Sequence, residues 1–240
     1  MPPGRSRLLG TCPCGVCPVM SSFPAEPVSS REFIEEVVPS LFADVALGET
    51  EEAIDLKVGV VLRAEEGGDQ GGEWTLHFIG GEIGITDGRE DACQISFVLS
   101  VADWRAALWE RRPVLVAEAI ESVLESGPNA WRPPAEPGGG VRLDPLKGIS
   151  DLAGLIEGVI GSEAGGDWRL GAQVGPGPLP ETPQATIRLG AEQAEAIRDG
   201  SLHPLEALIT GQLQLDGDLG LILQLQAVAM TLSMAGGGRR

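Results

Sequence analysis

The stretch 127–147 divides this chain. It holds five prolines and four glycines, with Pro133-Pro134-Ala135-Glu136-Pro137-Gly138-Gly139-Gly140 near its centre. Proline lacks an amide donor and fixes φ, and glycine runs have no preferred conformation, so the composition is that of a linker. It is the clearest boundary in the chain. The expected division is a disordered leader over 1–28, an α+β unit over 29–126, the linker 127–147, a second α+β unit over 148–234 and a tail over 235–240.

In the first unit, Ser29 can cap a helix whose first turn carries Glu32. Phe33, Ile34, Val37, Val38, Leu41 and Phe42 recur at helical spacing up to about Gly48, and Pro39 should kink or split the run. Strands are expected over 54–63, 73–79, 80–86 and 92–100. The glycine-rich segment 65–72 joins the first two as a hairpin. In the second of them Trp74, Leu76 and Phe78 face one way, and Thr75 and His77 the other. Helices should follow over 101–109 and 114–124.

The second unit repeats this order. A helix over 150–161 is expected, then strands over 167–171 and 184–189, and a helix over 191–198. Gln94 to Ser100, a helix and Pro113 are echoed by Gln184 to Gly190, a helix and Pro204, about 90 residues on. Trp74 and Trp168 hold similar places. The pattern reads as a duplication.

Thirty-five acidic against 17 basic residues leave a formal net charge of -18. Such a chain repels phosphate backbones, so nucleic acid is not an expected partner. No apolar run reaches the length of a membrane span, and no stable insertion is expected. Residues 1–19 do not read as an export signal, and Met20 is a plausible true start, so the expected location is the cytoplasm. Cys12, Cys14 and Cys17 are one ligand short of a structural zinc site, and Cys93 reads as a small core residue.

Gln184 to Met230 resembles the sterol carrier protein type-two family. The resemblance lies in Thr186-Ile187-Arg188-Leu189, Gly200-Ser201-Leu202, Pro204, Ala207-Leu208-Ile209, Gly211, Leu213, Leu215 and Gly217-Asp218. Residues 29–125 look like a weaker second copy. Gln212 and Gln214 depart from the lysines common in the family, and the region before Gln184 is short and broken by prolines. The second half is thus a trimmed copy, or it borrows strands from the first. The resemblance implies a sterol-carrier-like α+β fold, with a five-stranded or similar, mostly antiparallel sheet and helices on one face. It also implies an apolar cavity for a sterol, fatty acid or acyl-CoA.

After Asp218, which can cap a helix, Leu219, Leu221, Ile222, Leu223, Leu225, Val228, Met230 and Leu232 leave almost no polar face. Something must cover them. Alternation at Leu221, Leu223 and Leu225 also permits a strand, and the resemblance decides for a helix. The expected cavity wall is Leu208, Ile209, Leu213, Leu215, Leu221, Leu225 and Met230. The alternative is a structural module whose pocket is filled and whose apolar C-terminal segment mediates partner binding or self-association.

No catalytic set stands out. The histidines are His77 and His203, and the second reads as a neighbour of a helix cap. Prolines in Gly175-Pro176-Gly177 remove the amides that would cradle phosphate. Asp216-Gly217-Asp218 reads as a turn, because no glutamate follows at the calcium-loop offset. The expectation is a non-enzymatic protein without cofactor or metal.

Overall fold

The computed structural model describes residues 23–43, 55–79, 82–118, 120, 153–161 and 166–224. The linker 127–147, the tail, and Cys12, Cys14, Cys17 and Met20 lie outside the described residues.

Ser29 caps α1 (Ser30–Glu32), its Oγ accepting from the Glu32 amide at 3.2 Å. The next turn, Phe33–Val37, is π-helical, and α2 (Val38–Ala43) completes the element. Pro39 neither ends nor splits this helix. It lies just after a turn wound to i→i+5 bonds, and the helix runs on past it to Ala43. Residues 23–28, assigned to the leader by composition, are partly packed: Phe23 meets Phe33 edge-on and lies tilted against Trp109.

Among the described residues eight strands form one sheet, wider than the five-stranded one the resemblance implies: β1 (Leu56–Arg63), β2 (Gly71–Ile79), β3 (Glu82–Asp87), β4 (Ile95–Ser100), β5 (Gly154–Ile160), β6 (Trp168–Val174), β7 (Ala185–Leu189) and β8 (Leu213–Gly217). Their order is β3-β2-β1-β4-β6-β5-β7-β8. Only β1–β4 and β5–β7 are parallel, so the sheet is mostly antiparallel as expected. The helices α3 (Val101–Leu108), α4 (Ala191–Arg198) and α5 (Pro204–Ile209) complete the labelled elements. Residues 114–118 and 219–224 are also helical, and Asp218 Oδ1 accepts from the Leu221 amide as a cap at 3.1 Å.

One expected element is corrected. Residues 154–160 form β5, not part of a helix over 150–161. Leu155 and Ile156, then Val159 and Ile160, satisfy helical spacing, but they serve a strand buried on both faces. Leu155 packs with Val61 and Val98, whereas Ile160 packs with Trp168 and Ala194.

The halves match in detail. β1 lies between antiparallel β2 and parallel β4, and β5 lies between antiparallel β6 and parallel β7. Gln94 sits before β4, its Oε1 accepting from the Lys57 amide at 2.7 Å while its own amide donates to the Lys57 carbonyl at 3.0 Å. Gln184 repeats this before β7 with Leu155, at 2.7 and 2.8 Å. The halves meet where β4 pairs with β6. The outer edge of β2 carries β3, whereas the corresponding edge of β6 carries β4. The outer edge of β7 carries β8, and that of β4 carries β6. Each half thus fills an edge position of the other.

The main core gathers Trp74, Leu76, Leu56, Val58 and Leu62 under Phe33, Ile34 and Trp104. Thr75 faces away from Trp74 and is nonetheless buried, donating to the Gly88 carbonyl at 2.9 Å. Cys93 is fully buried, as expected of a core residue. On this second sheet face Arg89 is buried at the joint between the halves. It donates to Ser96 Oγ at 2.9 Å, Gln173 Oε1 at 2.8 Å, the Gly177 carbonyl at 2.8 Å and Asp91 Oδ1 at 3.1 Å. Gly59 makes room for this network: a Cβ there would lie 2.5 Å from Ser96 Oγ and 3.0 Å from Arg89 Cγ. Gly59→Ala is expected to cost about 1–3 kcal/mol by overpacking, read as a lower urea midpoint at unchanged slope.

Candidate functional site

An apolar cleft of about 510 Å³ opens on the helical side of the first half. Phe23, Pro24 and Ala25 line one rim, and Leu41 of α2 lines another side. Ala107, Leu108 and Trp109 at the end of α3 contribute further lining, with Ala117 and Ile120 from the following helical residues. Among the described lining residues Arg111 is the charged one.

Local sequence explains each part. Ser100 caps α3, its Oγ accepting from the Asp103 amide at 2.9 Å. Trp104 and Trp109 thereby come within 5.2 Å, and Phe33 lies 5.3 and 5.5 Å from them in edge-on contact. The Trp109 indole donates to the Pro24 carbonyl at 3.0 Å and so ties the rim to α3. Arg111 turns the chain with φ of 54°, a conformation uncommon outside glycine. Strain of this kind gathers at functional places.

Asp69, in the β1–β2 turn, joins the two helical walls. It accepts from the Ser30 amide at 2.6 Å, from Ser30 Oγ at 2.7 Å and from Arg105 of α3 at 3.2 Å. It also accepts from the Gly71 amide at 3.0 Å. Desolvation raises its pKa, but the bonds from Ser30 and Gly71, with the Arg105 charge, outweigh it. The carboxyl is therefore held below its usual range. Asp103 moves the opposite way: burial raises it against the bond from Ser100 and the influence of Arg169.

The sequence-expected wall lies elsewhere. Leu208 and Ile209 sit on α5 and are 37% and 76% exposed. Leu213 and Leu215 are half-buried on one face of β8. Leu221 is buried against Ile156, Ala185 and Ile222, with Leu215 alongside. The structure thus joins Leu215 and Leu221, and leaves Leu208 and Ile209 outside that cluster. Leu225 and Met230 lie outside the described residues.

Sequence reasoning missed the cleft residues, although a signal existed. Eight of the ten phenylalanines and tryptophans precede residue 110. In a chain poor in aromatics, that imbalance marks the half with the larger side-chain framework. His203 caps α5, Nδ1 accepting from the Leu205 amide at 3.2 Å, and His77 pairs with Asp55 at 2.7 Å. Among the described residues, no acidic, histidine or cysteine cluster could hold a metal, and no helix is long and apolar enough to cross a membrane.

A family model described as the SCP-2 sterol transfer family matches residues 163–230. Solved structures similar to the chain include sterol carrier protein 2 like 2 from Aedes aegypti. It is 21% identical over 47% of this chain and 98% of its own, with a TM-score of 0.27. The sterol carrier protein domain 2 of Helicoverpa armigera is 19% identical over 40% of this chain and 80% of its own, with a TM-score of 0.30. Sterol carrier protein 2 from Yarrowia lipolytica is 16% identical over 30% of this chain and 68% of its own, with a TM-score of 0.25. A comparison with curated proteins gave no match. Residues 163–230, from the approach to β6 through α4, α5 and β8 into the following helix, are thus the part of the chain that is similar to the SCP-2 sterol transfer family.

Proposed function

We propose that the chain holds a lipid-like small molecule in the cleft of its first half and performs no chemistry on it. The carrying observation is the cleft: about 510 Å³, lined among the described residues by Phe23, Leu41, Leu108, Trp109 and Ile120 with Arg111. Ligand pockets span roughly 300–1,000 Å³ and are lined mostly by apolar side chains. The family match over residues 163–230 supports a sterol, fatty acid or acyl-CoA as the ligand class. The acidic charge argues against nucleic acid. The reading is of a cytoplasmic carrier without stable membrane insertion.

Protein freed of lipid is expected to bind a fluorescent fatty acid or sterol saturably, with about one site per chain and a Kd in the micromolar range or tighter. Native mass spectrometry of freshly expressed protein should show copurified lipid. No saturable binding to any acyl or sterol probe, with no copurified lipid, rules this function out.

A second reading rests on the exposure of Leu205, Ile209, Leu219 and Leu223, at 50%, 76%, 54% and 63%. Here the C-terminal apolar surface mediates self-association. Sedimentation at increasing concentration separates it: a dimer that persists without lipid favours this reading.

A further inference from the structure

The match between the halves extends to the cleft. α3 begins at Val101 and α4 at Ala191, each following the strand that runs parallel to its half's central strand. At this offset the cleft residues Leu108 and Trp109 correspond to Arg198 and Asp199. Those two are exposed and charged. Arg198 reaches Glu118, beside the cleft's helical wall, at 3.4 Å, and Asp199 accepts from the Ser201 amide at 2.9 Å. The second half therefore puts charge where the first puts apolar lining.

The second half also supports the cleft from behind. Ala107 packs with Ile160, Trp168 and Ala194, and Ile120 packs against the same group. Both line the cleft as well. The Trp168 indole donates to the Asp103 carbonyl of α3 at 2.9 Å.

We infer that the two halves are copies of one unit that have divided the work: the first holds the ligand, and the second, which carries the family match, braces it. This rests on the binding function proposed above and places that function in one half.

The test titrates a dansyl-labelled fatty acid into full-length, lipid-freed variants whose folding is checked by circular dichroism. Leu108→Arg installs the counterpart's charge in the cleft and is expected to weaken binding about ten-fold or more. Ala25→Trp, at an exposed rim position, narrows the cleft without burying charge and should weaken binding even if Leu108→Arg unfolds the protein. Leu205→Arg, exposed on α5, should leave the affinity within about two-fold. Weaker binding in Leu208→Arg or Leu215→Arg, with Leu108→Arg and Ala25→Trp binding normally, would overturn the division of work and leave lipid binding standing. A wild-type protein that binds no probe overturns both.

Discussion

Asp69→Ala is expected to lower the stability by about 3 kcal/mol, because it removes the acceptor for three buried or half-buried donors and leaves Arg105 unpaired. Ser30 is fully buried with Asp69 in place, and its amide and hydroxyl both donate to that carboxylate. For a chain of this size the loss corresponds to a fall in Tm of roughly 6–12 °C. The cost has a pH signature. The carboxyl is held below its usual range when folded, so its stabilisation is fully present above the unfolded value of about 3.9. It disappears as pH falls through the lower folded value. The gap between wild type and Asp69→Ala should thus be widest near neutrality and narrow in acid. A gap that stayed constant down to pH ~2 would show that the carboxylate charge contributes nothing. Because Asp69 joins α1 to α3, the variant should also bind lipid probes more weakly.

Local order was legible because local patterns are physically strong. Ser29 and Asp218 act at the helix starts where the sequence places them. The alternation of Trp74, Leu76 and Phe78 gave the buried face of β2. The proline-broken region before Gln184 points to strands shared between the halves, and β4 of the first half pairs with β6 of the second. Two things were not legible. Leu155, Ile156, Val159 and Ile160 fit helix and two-sided strand alike, and only the pairing partners Trp168–Val174 and Ala185–Leu189 decide. The cleft is assembled from Phe23, Leu41, Trp109 and Ile120, which no short period connects. Ile209 is 76% exposed although it lies in the motif that carries the resemblance, because spacing along α5 does not say which face the sheet covers.

Trp168→Ala is expected to cost about 3–5 kcal/mol and to destabilise both halves together. The side chain is 7% exposed and fills the space between Ile160, Ala194 and Ala107 of α3. Its indole bond to the Asp103 carbonyl crosses the same seam. Trp168→Phe keeps most of the packing and removes that bond, so its cost should be only about 1–2 kcal/mol. The two variants separate packing from hydrogen bonding at the joint. If β4–β6 pairing and Trp168 make the halves one folding unit, thermal unfolding of Trp168→Ala remains a single transition at lower temperature. The near-UV signal of Trp104 and Trp109, which belong to the first half, should vanish together with the far-UV signal of the sheet. Survival of that tryptophan signal through the main transition would mean that the first half stands without its brace. The cleft would then owe its shape to Phe33, Trp104 and Trp109 alone.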